Sequence, residues 1–151
     1  MKTLNNFLIE KLNTKKYYPK DKEYLRALLK KLLSERGKDA DLNDIDTSKI
    51  TDMAELFRDL DPHDIDISEW DVSNVETMEY MFYGCKNFNS DLSKWNVSQV
   101  EYMEAMFANC NRFNADLSKW DVSNVRDMGY MFDGCHSLSK NKPSWYKERK
   151  H

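Results

Sequence analysis

Tryptophan stands at positions 70, 95, 120 and 145. A fixed step of 25 residues between copies of the largest side chain restricts the fold more than any other property of this chain. The step belongs to whole segments. Residues 71–95 read DVSNVETMEYMFYGCKNFNSDLSKW and residues 96–120 read NVSQVEYMEAMFANCNRFNADLSKW. Residues 121–145 begin DVSNVRDMGYMFDGC and lose the pattern towards their end, while residues 46–70, DTSKITDMAELFRDLDPHDIDISEW, form an earlier, more worn copy. Self-similarity at a period of this size marks repeat architectures in which each unit covers the apolar face of the next.

The apolar positions within each copy predict its local structure. Val75, Met78, Met81 and Phe82 fall at i, i+3, i+6 and i+7, the spacing of one face of a short helix. Ser73 with Glu76, and Ser98 with Glu101, stand before that run as a capping box. Ser48 and Ser123 keep the cap without the acid. Phe88 and Leu92, like Phe113 and Leu117, lie in a stretch rich in Asn, Ser and Asp, which predicts a strand or extended segment. Extended segments of successive copies would lie about 4.8 Å apart, so Trp is expected over Trp and Phe over Phe.

The runs WDVSNVETMEYMFYGC and WNVSQVEYMEAMFANC, with FNSDLSKW and FNADLSKW between them, resemble the repeat of BspA-like leucine-rich-repeat surface proteins over roughly residues 41–135. That resemblance implies a right-handed leucine-rich-repeat-type coil that acts by binding, without implying a ligand. The expected fold is therefore an α/β solenoid of four 25-residue repeats (46–70, 71–95, 96–120 and 121–145). A helical N-terminal cap over residues 1–44 is expected before the repeats at 45–145, and a basic tail over 146–151 after them.

The first 44 residues lack the repeat. Leu4, Phe7, Leu8 and Leu12 fit a short amphipathic helix. A stronger one is expected over residues 21–36, with Tyr24, Leu25, Leu28, Leu29, Leu32 and Leu33 on one face, Pro19 before its start and Gly37 after its end. Terminal units of a repeat array need covering, which is the role assigned to this helix. The segment NNFLIEKLN is broken by Glu10 and Lys11 and is not a secretory signal, nor does any run reach the length of a membrane span. A cytoplasmic chain is the expectation. A cell-surface location, which the resemblance implies, is the alternative if a signal has been removed.

Charge is unevenly spread, with a net of +4 over residues 1–45, −11 over 46–135 and +4 over 136–151. Phosphate contacts need a continuous basic surface, so direct nucleic-acid binding is not expected. An acidic middle attracts a basic protein partner, or serves solubility alone. Cys85, Cys110 and Cys135 keep the repeat step and share their position with Leu60, so they read as buried apolar thiols without a metal. The recurring Asp66, Asp91 and Asp116, and Asp71, Asn96 and Asp121, read as acceptors for turn amides. His63, His136 and His151 have no nucleophile motif near them. No catalytic residue, no metal site and no cofactor is expected.

Positions that differ between copies mark the exposed side. Glu76, Glu79, Tyr80, Tyr83, Glu101, Tyr102, Glu104, Arg126 and Tyr130 are the candidate partner-binding residues. Tyrosines there serve recognition or pack half-buried between helices. The function expected is a non-catalytic protein-protein interaction module, as a monomer or a weak end-to-end oligomer. Three alternatives stand beside it. One is a phage- or host-encoded inhibitor whose acidic surface blocks the basic groove of a nucleic-acid enzyme. The others are a bacterial surface adhesin fragment and a unit that stacks end to end.

Overall fold

The computed structural model describes residue 3, residues 14–138 and residues 140–146. Leucines recur at helical spacing after a residue that can cap, and there the chain forms α1 (Lys22–Arg36). The Asp21 carboxylate accepts the Tyr24 amide at 2.9 Å at its start, and Gly37, at φ +93, donates its amide to the Leu33 carbonyl at its end. Leu25, Leu28, Leu29, Leu32 and Leu33 are buried along one side. The shorter helix expected around Leu4, Phe7, Leu8 and Leu12, and the basic tail after residue 146, lie outside the described residues. No helix among the described residues is long and apolar enough to cross a membrane.

The expected α/β solenoid of leucine-rich-repeat type is not what the chain builds. Besides α1, the described residues hold one 3-10 turn (His136–Leu138) and no strand. Extended pairing is confined to five isolated parallel bridges: Tyr17–Ile45, Asp41–Asp66, Asp52–Thr77, Thr77–Tyr102 and Tyr102–Asp127. Neither the short helix nor the extended element expected in each copy forms.

Backbone conformation explains the missing helices. Glu55, Tyr80, Ala105 and Tyr130, one position of the period, have φ of +61, +56, +51 and +59. Four residues further on, Asp59, Gly84, Asn109 and Gly134 are again positive, at +66, +74, +62 and +73. A right-handed helix cannot contain such residues. Each instead stands third in a tight turn. The Met81 amide donates to the Met78 carbonyl at 3.2 Å and the Cys85 amide to Phe82 at 2.9 Å, the arrangement of a type II turn. Two consecutive turns thus put Val75, Met78, Met81 and Phe82 on the inner side, where all four are 0% exposed.

Amides left over from these turns bond to the neighbouring copy. Met78, Tyr80, Phe82 and Gly84 donate to the carbonyls of Tyr102, Glu104, Met106 and Ala108 at 2.8–2.9 Å. Met103, Ala105, Phe107 and Asn109 repeat the pattern on Asp127, Gly129, Met131 and Asp133. In this segment the bonds share one sense: amides face the following copy and carbonyls face the preceding one. The Glu76, Glu101 and Arg126 amides, each donating to the residue 25 earlier, run the other way.

Side chains stack by the same step. The Phe57–Phe82, Phe82–Phe107 and Phe107–Phe132 ring centroids are 5.0, 5.5 and 5.7 Å apart and nearly parallel. Trp70 stacks on Trp95 and Trp120 on Trp145, both at 6.3 Å. Each indole donates Nε1–H to a carbonyl 28 residues earlier, on Leu42, Ile67, Leu92 and Leu117 at 2.9–3.0 Å. Burial of a ring contributes roughly 1.5–3 kcal/mol and an aromatic pair roughly 0.5–1.5 kcal/mol more.

Helix α1 lies against the carbonyl side of the first copy. Arg26 Nη1 donates to the Glu55 and Leu56 carbonyls at 3.0 and 2.9 Å, Nη2 donates to Arg58 at 2.8 Å, and Lys38 Nζ donates to Leu60 at 2.6 Å. Two cations thus meet carbonyls at this end. Arg36 holds Asp44 through two bonds of 2.9 Å, fixing the C-terminal end of α1 to the segment that enters the first copy.

Candidate functional site

The turns that carry positive φ also thrust polar residues outward. Tyr80 is the strained residue of its first turn and Tyr83 opens the next, so their rings meet at 5.5 Å with planes tilted 55°. The Arg58 guanidinium sits 4.8 Å from the Tyr83 centroid and 5.8 Å from that of Tyr80, and its Nη1 is 3.2 Å from Glu55. A cation over aromatic faces contributes about 0.5–1 kcal/mol at an exposed site. Arg58 did not figure among the sequence candidates because its copy is worn. Its number is Tyr83 less one period, so the repeat itself places the two side by side.

Beside this cluster lie acids from successive copies. Partial burial pushes the Glu79 carboxyl up, and the charges of Glu104, Asp127 and Asp52 push it further. The Tyr80 phenol is also raised, by burial and then by the nearby Glu104 carboxylate. Lys22 of α1 approaches Asp52 at 3.1 Å. The structure therefore brings together Glu79, Tyr80, Tyr83 and Glu104 of the sequence candidates, and adds Arg58, Asp52 and Asp127 to them.

The remaining candidates fall on the neighbouring columns. Tyr102 is 37% exposed and pairs in parallel with Thr77 and Asp127. Glu101 and Arg126 form an ion pair at 3.0 Å. Glu76 is exposed and Tyr130 half-buried. Tyr83 and Arg58 also line an open depression of about 380 Å³, together with Asp59, Asp61, Lys86 and Asn87 among others.

Recurring Asp residues are occupied by turn amides. Asp66, Asp71, Asp91, Asp116 and Asp121 accept the amide of the Ser two residues on at 2.9–3.1 Å, and Asn96 does the same for Ser98. Ser73 is therefore not a helix cap, and the Glu76 amide goes to the Thr51 carbonyl. No group of three or more His, Cys, Asp or Glu among the described residues is arranged to hold a metal ion. Cys85, Cys110 and Cys135 are buried and donate Sγ–H to the carbonyls of Phe57, Phe82 and Phe107. Burial pushes the Cys85 and Cys135 thiols up to about 12 and that of Cys110 higher still.

A family model described as "Mycoplasma protein of unknown function, DUF285" matches residues 27–145. No curated protein and no solved structure matches the chain.

Proposed function

Because the chain belongs to the DUF285 family, we propose that it is a non-catalytic protein-interaction module, akin to BspA-like surface proteins, that takes a basic partner on the face carrying Arg58, Glu79, Tyr80, Tyr83 and Glu104. The observation that carries this reading is the tyrosine pair held by Arg58 beside Glu79, whose carboxyl is pushed up by burial and then by the charges of Glu104, Asp127 and Asp52. Crowded acids gain free energy when a cation arrives, so a basic surface relieves repulsion already present in the free protein. Aromatic rings whose positions are already fixed lose little freedom on contact.

The test compares the wild-type chain with a Glu79→Lys/Glu104→Lys double variant in capture from host lysate at low and high salt. A partner retained by the wild type alone is then purified and its affinity measured. Affinity should fall at least about tenfold between 50 and 300 mM salt, as for an interface steered by charge. Capture indifferent to both salt and charge reversal removes the reading.

A further inference from the structure

The two ends of the repeated segment are chemically unlike. At the first copy, two of the carbonyls that would accept amides from a preceding copy, those of Leu56 and Arg58, are taken by Arg26, and the leucines of α1 are buried. At the fourth copy no helix follows among the described residues; Tyr146 meets the Phe132 ring edge-on at 4.9 Å, but no backbone among them continues the pattern of bonds between copies. One copy earlier, Met103, Phe107 and Asn109 donate to carbonyls of the copy that follows. Their counterparts are the amides of Met128, Phe132 and Gly134, and these find no acceptor among the described residues. Apolar exposure follows the same gradient: Val97, Val100, Met103 and Trp120 are buried, whereas Val122, Val125, Met128 and Trp145 are half-exposed.

We propose that the edge formed by residues 126–134 is a second docking surface, which takes a repeat-like segment of another polypeptide, with the same paired turns and inward apolar side chains, in the manner of a fifth copy. Its carbonyls would meet the amides of Met128, Phe132 and Gly134, and its apolar side chains would cover Val122, Val125 and Trp145. The edge continues, register for register, the interface between the third and fourth copies, and that continuity specifies the occupant. Backbone donors without acceptors among the described residues at Met128, Phe132 and Gly134, beside an apolar strip, are met by addition of a further chain segment. A second copy of this chain does not fit head to tail, because its Leu56 and Arg58 carbonyls, which would match the Phe132 and Gly134 amides, already accept from Arg26. This surface adjoins the tyrosine and acid face at Asp127, but it binds through backbone amides and apolar side chains, so loss of salt-sensitive binding at Glu79 and Glu104 and loss of binding at this edge are distinguishable.

The test uses the full chain and, as probe, a blocked synthetic peptide with the sequence of residues 96–120, which carries carbonyls in the required register. The peptide should bind at micromolar concentration, and a scrambled peptide of the same composition should not bind. In the complex, hydrogen exchange at the Met128, Phe132 and Gly134 amides should slow at least about tenfold. Val125→Asp should weaken binding at least about tenfold, and the exchange measurement on the wild type holds should that variant fold poorly. Absence of binding at about 1 mM peptide overturns the proposal, as does binding that leaves those amides unprotected. Protection already present in the free chain overturns it too: if independent of concentration it assigns the edge to the chain's own residues, and if concentration-dependent to a second copy.

Discussion

Arg26 Nη1 donates to the Leu56 carbonyl at 2.9 Å across 30 residues of sequence. With the bond to Arg58 it supplies, from one side chain, two donors that a preceding copy would supply from its backbone, and it reaches the Glu55 carbonyl besides. Arg26→Met keeps the hydrocarbon stem and removes the donors. It should cost about 2–3 kcal/mol, since bonds from a charged donor are worth more than neutral ones. Urea melts followed by tryptophan fluorescence measure this; a loss under about 0.5 kcal/mol would show that the carbonyls manage without the arginine.

Positive φ gives a graded set of substitutions. Gly84 and Asn109 share one position of the period with φ of +74 and +62. Asparagine tolerates this region, so Gly84→Asn should cost under about 0.5 kcal/mol while the β-branched Gly84→Val costs about 1–2 kcal/mol. An added Cβ meets nothing within 4 Å at Gly84, but at Gly134 it comes within 2.4 Å of Asn109 Oδ1. Gly134→Ala should therefore lower the thermal midpoint more than Gly84→Ala does.

The buried thiols predict both reactivity and an alkaline limit. Native protein at pH 8 should leave all three cysteines unlabelled by a thiol reagent, and unfolding should expose three. In the unfolded chain these thiols ionise near 9, whereas in the folded chain Cys85 and Cys135 hold their protons to about 12. Between those values the unfolded state binds fewer protons. Stability therefore falls as pH rises above 9, by up to about 1.4 kcal/mol per thiol for each pH unit. Replacing the three cysteines by alanine should flatten that limb in denaturant melts at pH 8–11.

Turn aspartates set the opposite limb. Bonds from the Ser48, Ser68 and Ser93 side chains hold Asp46, Asp66 and Asp91 below their ordinary value of 3.8. A depressed carboxyl contributes stability above its unfolded value, and that contribution is lost as pH falls through the folded one. Stability should be level from pH 7 to 5 and decline below 4. Joint replacement of the three by Asn, the residue already present at position 96, should shrink the decline while changing neutral-pH stability by under about 0.5 kcal/mol per site.

The interior was legible in the sequence, and the path of the chain around it was not. Val75, Met78, Met81 and Phe82 are buried because their identity recurs at one step, and recurrence alone marks them. Their i, i+3, i+6, i+7 spacing fits a helix face equally well as two successive turns. What separates the two is φ at Tyr80, a residue whose type does not announce a left-handed conformation. Gly84, Asn109 and Gly134 at one position were the available hint, since glycine and asparagine alternate where φ is positive. The assignment of Ser73 as a cap failed because Asp71, two residues before, competes for the same amide. Among the surface candidates, tyrosines and acids were visible as differences between copies. Arg58 was hidden by the poor match of its own copy to the other three.

Ring upon ring at a constant step of 25 residues also governs how the gene for such a protein can change. An insertion of one codon inside a copy breaks the step between the rings on either side of it, whereas excision of codons 96–120 rejoins Trp95 to Asp121 and leaves each surviving ring a partner of its own kind. Length is therefore free to drift by whole multiples of the period, through unequal crossing-over, and is resisted in every smaller increment.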